Sequence, residues 1–441
     1  MILIHDTTII TGEAVLEGAA IAIEGGRIAA IGNTAALIAA HPDAERISGA
    51  DRAVMPGFAN IHTHLGMTLA RGVFEDLSPP HQPPFCGGLS PIPLPALSVE
   101  ENAVMVQLGA LEAIRSGTTA LLEDGAHIAG YAEPLVATGL RLVLAERAWD
   151  RKGASIGDPA PFTVSEKLAD AGMERIARLH EAWNGREGGR VAVGLAAWAP
   201  DMCSPALLGR ISALRETLGA LCTIHLNQIW GEVAAVQAQR GCLPTEYLAA
   251  EGFLHDRLVA AHCRCMAGLE EKLLGKSRVN VAFNSAIAAR RGLSPRVSVL
   301  QAEGCNIGMG TDNMAEDMVE VMRTGLFMER IRREDGRQPT PEEALGWATR
   351  GGYRAMGIND GGWLAPGNKA DLIMIRTDRA HLVPRMKMLN TFVHQGQASD
   401  VESVMVDGRW IMRDGRVLTM DEAAIIKAAD AIGQRAWAGK I

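Results

Sequence analysis

The stretch that decides the fold is Met55-Pro56-Gly57-Phe58-Ala59-Asn60-Ile61-His62-Thr63-His64. An apolar run closed by His-x-His reads as a β-strand with both imidazoles on one side, because strand side chains alternate with period two. Two neutral imidazoles pointing one way at a strand's end are half of a divalent-metal site. An isolated His-x-His can equally be one packed ring and one turn cap, so the rest of the chain has to decide.

Downstream, short β-branched runs recur, each followed by a helical pattern: Phe58–His64, Thr118–Glu123, Leu140–Glu146, Val191–Trp198, Cys222–Leu226, Leu258–His262, Arg278–Phe283 and Ile307–Thr311. Strands alternating with helices in this number predict an α/β chain of parallel units closing into a (β/α)8 TIM barrel. A doubly wound open sheet is the runner-up, but no Gly-rich dinucleotide loop follows the first strand.

The flanks have another rhythm. Ile2–Ile10, Ala19–Glu24 and Arg27–Ile31 read as strands too few to bury a core alone. Ala370–Ile375, Val401–Val406, Arg409–Met412 and Arg416–Leu418 supply partners, with Asp407-Gly408 and Asp414-Gly415 as tight turns. The expected organisation is therefore a composite β-sandwich from residues 1–54 and 365–420, and a metal-dependent barrel over 55–364. A C-terminal helix within 421–441 would pack on this body. The Pro-rich segment Pro79–Pro95 cannot be regular structure and is either a stiff lid beside the site or a surface loop.

Composition narrows the class. The 441 residues are 48% hydrophobic and carry a net charge of −8, which suits a soluble globular protein and argues against a nucleic-acid surface. No apolar run approaches the ~20 residues that cross a bilayer, so no membrane partner is expected. Met1-Ile2-Leu3-Ile4 reads as a strand and not as a signal peptide. The seven cysteines are scattered without a paired Cys-x-x-Cys, which points to buried thiols and a cytoplasmic location.

Other metal-competent residues also fall at strand ends. His225 closes Leu221-Cys222-Thr223-Ile224, His262 closes Leu258-Val259-Ala260-Ala261, and Asp312 follows Gly308-Met309-Gly310-Thr311. Barrel topology delivers strand ends one, five, six and eight to one rim, where active sites of such barrels lie.

At this point the chain resembles the amidohydrolase superfamily. The resemblance rests on Pro-Gly-Phe-x-Asn-x-His-x-His, His225-Leu226, Ala261-His262, Gly310-Thr311-Asp312 and Pro366-Gly367-Asn368-Lys369-Ala370-Asp371-Leu372. Within it, the chain looks like the cytosine/guanine/S-adenosylhomocysteine deaminase and triazine hydrolase branch, of which the Val406-Asp407-Gly408-Arg409 hairpin is also typical. The resemblance implies that His62, His64, His225 and Asp312 hold one divalent metal, Zn2+ or Fe2+. It implies that Asp312 moves the proton of an activated water and that His262 stabilises the developing oxyanion. A homodimer is the assembly it implies.

One departure bears on substrate. Deaminases of this branch resemble each other in a Glu three residues after the strand-five His, and here that position is Gln228. An amide donates a hydrogen bond but not a proton. The substrate should then already carry an N–H there, or be an amide, urea, carbamate or carbon–halogen compound hydrolysed at the same site. Glu232, in the following helix, reads as structural. Further substrate contacts are expected from Asn284, Asp201 and three rim tryptophans, Trp149, Trp198 and Trp230, which could stack on a flat ring. Asp124, His127, Asp76 and His81 are weaker candidates; Arg290-Arg291 reads as a solvated helix start, and Glu316, Asp317 and Glu320 as the first turns of a helix.

The sequence thus points to a hydrolase that cleaves a C–N bond at an sp2 carbon, most simply by deaminating a small nitrogen heterocycle. The contrasting class is a scaffold protein that keeps this fold without a working site, which metal analysis would distinguish.

Overall fold

The computed structural model describes residues 1–75 and 92–441. Eight parallel strands close a barrel in chain order: Phe58–Thr63, Thr118–Gly125, Arg141–Ala148, Val191–Ala197, Cys222–Leu226, Leu258–His262, Asn280–Phe283 and Asn306–Met309. Their ends differ from the sequence-based expectation by at most two residues.

The bore is filled by small and branched side chains, among them Ala59, Ile61, Ala120, Leu122, Val143, Ala145, Val259, Ala261 and Ala282. An eight-stranded barrel has an interior just wide enough for such side chains, so alanine recurs where a larger residue would overfill it. On the outer faces Leu121, Leu142, Ile224, Val281 and Ile307 pack against helix residues such as Ile114, Ile176, Leu208 and Leu326. The helices begin with the expected caps: Ser98 and Glu101 form a capping box at Val99–Arg115, and the Asp317 carboxylate accepts from Val319 and Glu320 N–H groups at Met318–Arg333.

The first strand departs from simple alternation. Ala59 and Ile61 pack in the bore, so strict period two would turn His62 outward. The pairing with the second strand shifts register between Asn60 and Thr63, and such irregularities re-aim the side chains that follow. The eighth strand then clasps the first: the Asp312 amide donates to the His62 carbonyl at 3.0 Å, and the His64 amide donates to the Asp312 carbonyl at 2.7 Å.

Both chain termini build a nine-stranded sheet. Its N-terminal members are Ile2–Ile10, Val15–Glu24, Arg27–Asn33, Glu45–Ser48 and Arg52–Pro56; its C-terminal members are Leu372–Arg376, Val401–Val406, Arg409–Arg413 and Arg416–Val417. The seam is the antiparallel pairing of Arg52–Pro56 with Leu372–Arg376. From this seam the chain passes through Gly57 straight into the first barrel strand. A Cβ on Gly57 would lie 2.1 Å from the Thr119 methyl, which is why that position has no side chain.

Asp371 fastens sheet to barrel. Its carboxylate accepts from Arg141 at 2.7 and 3.1 Å, from the Tyr353 hydroxyl at 2.8 Å and from the Asp407 amide at 2.7 Å. The helix Glu422–Trp437 packs on Val99–Arg115, and the Trp437 indole donates to the Leu69 carbonyl at 2.7 Å. Among the described residues no helix is long and apolar enough to cross a membrane.

Candidate active site

Four histidines and one aspartate meet at the carboxyl ends of the barrel strands. His64 donates from Nδ1 to the Asp124 carbonyl at 2.6 Å, and His225 donates from Nδ1 to the Trp198 carbonyl at 2.9 Å. A carbonyl can only accept, so each ring leaves a lone pair on Nε2. Those two Nε2 atoms face one another at 3.1 Å with no hydrogen to place between them. Asp312 Oδ1 lies 3.5 Å from His64 Nε2 and 3.8 Å from His62 Nε2. Ligands at ~2.1 Å in a tetrahedron stand about 3.4 Å apart. The donor set therefore matches the span of one divalent cation, and lone pairs aimed at each other call for a positive charge between them.

The surroundings agree. His62 is fully buried with both ring nitrogens lacking a hydrogen-bond partner, an arrangement protein interiors avoid unless another ligand is supplied. Burial holds His62, His225 and His262 well below the usual imidazole range, so all three are neutral and able to coordinate. Burial likewise raises the Asp312 carboxyl, against the opposing pull of His64, Arg264 and Arg291. Backbone strain concentrates here: Asn227, His262, Cys263, Asp312 and Met314 all take positive φ, between 49 and 80°.

His262 stands slightly apart. The Asn284 side-chain amide donates to its Nδ1 at 3.1 Å, while its Nε2 is buried without a partner. Asp312 Oδ2 lies 4.0 Å from that Nδ1.

A model of the amidohydrolase family matches residues 53–411. The chain belongs to the amidohydrolase family. A second match, to an imidazolonepropionase-like composite domain of bacteria, covers residues 19–44, inside the terminal sheet. Over 442 aligned positions this amidohydrolase is 32% identical to the 5'-deoxyadenosine deaminase of Methanothermobacter thermautotrophicus, covering 97% of this chain and 98% of that one. It is 31% identical to the 5-methylthioadenosine/S-adenosylhomocysteine deaminase of Desulforudis audaxviator, with 94% of each chain covered. Among solved structures, an adenosine deaminase from Xanthomonas campestris with bound zinc superposes with a TM-score of 0.84 at 25% identity, covering 99% of this chain and 98% of that one. The atrazine chlorohydrolase of Arthrobacter aurescens, at 20% identity and TM-score 0.85 over 98% and 100% of the two chains, shares the fold. Membership makes the protein a metal-dependent hydrolase acting on carbon–nitrogen bonds.

The strand-five turn of this amidohydrolase is pinned by Glu232, whose carboxylate accepts the Asn227 and Gln228 amides at 2.8 and 2.7 Å. Glu232 is thus spent on backbone. The Gln228 side chain keeps a buried Oε1 with no partner. Trp149 and Trp198 sit edge to face, 5.3 Å between ring centres, half-buried over a cluster of Ile156, Ala199, Met202 and Ile229. Trp230, also half-buried, opens the helix Trp230–Arg240. Asp201 is fully buried, its Oδ2 accepting from the Gly157 amide at 2.8 Å and paired with buried Arg151 at 3.4 Å, while its Oδ1 has no partner among the described residues. His127 is exposed at the start of a short 3-10 turn. Asp76, His81 and the Pro79–Pro95 segment as far as residue 91 lie outside the described residues.

Three expectations need correcting. Arg290-Arg291 ends the helix Ser285–Arg291 instead of starting one; Arg290 pairs with Glu320 at 3.0 Å, and Arg291 is partly buried near enough to Asp312 to act on its charge. Glu316 lies outside the helix Met318–Arg333, and its carboxyl is fully buried beneath the ligand set. It accepts from Asn60 at 3.2 Å, from Thr63 at 2.9 Å and from the Thr311 hydroxyl, so the residues flanking His62 and Asp312 share one acceptor. Asp124, a weak candidate in sequence, stands directly behind the site: its carbonyl orients His64, and its carboxylate lies 3.6 Å from His225 Nδ1 and pairs with Arg147 at 2.9 Å.

Proposed function

We propose that this amidohydrolase deaminates an amino-substituted, purine-type heterocycle, releasing ammonia and an oxo product. The observation that carries the reading is the pair of opposed Nε2 lone pairs on His64 and His225, closed by His62 and Asp312. The names of its relatives in the two archaeal and bacterial species supply the substrate class.

His62, His64 and His225 offer nitrogens and Asp312 an oxygen; a divalent cation held there supplies the Lewis acid that brings the pKa of water down towards ~7. We favour zinc for three nitrogens and one oxygen, with ferrous iron as the alternative. Asp312 takes a proton from the attacking water and returns it to the departing amine. His262 accepts from Asn284 at Nδ1, so it presents Nε2–H towards the oxygen on which negative charge develops. Water adds to the ring carbon, the carbon–nitrogen bond breaks with its electron pair going to nitrogen, and ammonia leaves. Gln228 offers its buried Oε1 to a ring N–H such as N1–H of a 2-amino-6-oxopurine; a neutral adenine ring has no such hydrogen and would instead meet the Gln228 Nε2–H.

Gln228 also supports a second reading, hydrolysis of an amide, urea, carbamate or carbon–halogen bond by the same residues, because those reactions need no proton from this position. Incubating zinc-loaded protein with 5'-deoxyadenosine, 5'-methylthioadenosine, S-adenosylhomocysteine and a panel of aminopurines and pterins, while measuring ammonia, separates the two. Ammonia release with at least one ring establishes deamination; turnover of other compounds without ammonia moves the assignment to the second reading. For the compartment we propose the cytoplasm, supported by six described cysteines that are all free thiols; for the assembly we propose a homodimer, which light scattering on purified protein tests.

A further inference from the structure

Beyond the histidine–aspartate cluster, the barrel mouth holds a buried cation that no carboxylate pairs with among the described residues. Arg264 lies two residues past His262, in a turn bonded to the end of the fifth strand. Cys263 N–H donates to the Leu226 carbonyl at 2.9 Å, while Arg264 and Cys265 N–H groups donate to the Asn227 carbonyl at 3.0 and 2.8 Å. With His262 and Cys263 at φ of 80 and 49°, this turn folds the side chain back beneath the rim. There Arg264 Nε donates to the Gln228 backbone carbonyl at 3.1 Å, the one hydrogen bond of its side chain among the described residues. Arg264 is 8% exposed, and its Nη1 is buried without a partner among those residues.

The other two arginines that are buried among the described residues are matched: Arg141 has Asp371 and Arg151 has Asp201. Asp312 and Glu232 act on its charge from a distance, but among the described residues no carboxylate pairs with this guanidinium, and such burial is disfavoured, so a counter-charge is expected to arrive from outside the chain. Asp312 cannot fill that part, because its carboxylate closes the cation site. Among the described residues, a bound dication and Arg264 would stand against Asp312, with Arg291 adding a charge on which Glu75 acts. The Gln228 carbonyl that holds Arg264 lies three residues past His225, and the positive charge of Arg264 acts on His62, His262 and Asp312.

We infer that Arg264 determines substrate specificity: its guanidinium receives an anionic oxygen of the substrate, so the enzyme selects a heterocycle carrying an acidic oxygen over its neutral counterpart. The inference rests on the histidine–aspartate cluster being the deaminating site. The same guanidinium fork would accept either a carboxylate on a tail attached to the ring or an acidic oxygen on the ring itself. Because Arg264 is tied to the backbone of Gln228, a ring N–H at Gln228 Oε1 and an oxygen anion at Arg264 would be read along one edge of the ligand.

The test is calorimetric binding of ligands that undergo no turnover, to zinc-loaded wild type and to Arg264→Met. Two matched pairs differ in the anion: 5'-carboxymethylthioinosine against 5'-methylthioinosine for the tail, and urate against hypoxanthine for the ring, all at neutral pH. Wild type should prefer the anionic member of one pair, which identifies the source of the oxygen. Arg264→Met should erase that preference by about tenfold or more, the scale of one charge-assisted hydrogen bond. Arg264→Gln, a polar replacement, carries the same comparison should the methionine variant not fold. The inference is overturned if wild type shows no preference in either pair, or if the substitution weakens both members equally. Retained anion preference in a protein that releases no ammonia from any ring would reject the deaminase assignment and leave the role of Arg264 standing.

Discussion

The side-chain amide of Asn284 donates to Nδ1 of His262 across 3.1 Å. Since an amide nitrogen only donates, the ring hydrogen of His262 must reside on Nε2, the atom left buried and free at the mouth of the barrel. Asn284→Leu removes this tautomer control without touching a ligand. We expect kcat to fall 10–100-fold, the usual scale for such supporting contacts, with zinc content unchanged. Kinetics paired with metal analysis on the same preparation would check it; loss of zinc would show that Asn284 supports the ligands instead.

Ligand removal should behave differently. His62→Ala and Asp312→Ala should each lose the bound metal and the activity together, read by mass spectrometry of the metal and by ammonia release. A chelator should reproduce this in wild type and lower its Tm, because a cation that binds the folded state stabilises it by mass action.

Gln228→Glu probes the departure from the family pattern. The new carboxyl would sit where Oε1 is now buried and unpartnered. Turnover of the native substrate should not improve, while rings lacking an N–H at that position should gain. A large rise in native turnover would refute the view that the substrate arrives already bearing this hydrogen.

Gly310 carries a packing prediction. A Cβ there would lie 2.5 Å from Asn284 Oδ1, 2.7 Å from the His62 carbonyl and 3.0 Å from His62 Cβ. Gly310→Ala should cost roughly 1–3 kcal/mol in urea denaturation, as overpacking does, and should depress kcat by displacing two residues of the site.

Glu316 makes a prediction about pH. Burial raises its carboxyl well above 4.5, so it is uncharged in the folded protein under conditions where the unfolded chain would ionise it. The unfolded state therefore loses its proton first, and stability declines as pH climbs above 4.5 towards the folded value. Glu316→Gln keeps an acceptor for Asn60, Thr63 and Thr311 and removes that slope. Denaturation midpoints should match wild type within about 1 kcal/mol at acid pH and exceed it increasingly as the pH is raised.

The barrel was legible because eight β-branched runs separated by helical spacing leave few other architectures, and because the ligands lie on or just past those runs. His225 and Asn284 follow directly from period-two counting along their strands. His62 does not: counting from Ile61 turns it away from the bore, and only the register shift beside Asn60 brings it round. Spacing alone could not reveal that shift. Glu316 was read as a first-turn acid because its burial depends on contacts with Asn60 and Thr63, far away in sequence. Arg264 carries no signal in the sequence for a related reason. One charged residue after a strand is ordinarily solvated, and it is the left-handed backbone at His262 and Cys263 that draws it inside.

The clasp between His62 and Asp312 has a consequence for biosynthesis. A polypeptide leaving the ribosome exposes its first two ligands early, yet the fourth emerges only with the last barrel strand, whose amide and carbonyl lock those histidines in place. Until that strand docks, a nascent or truncated chain owns imidazoles but no cradle, so cation capture reports that the barrel has closed around its own beginning.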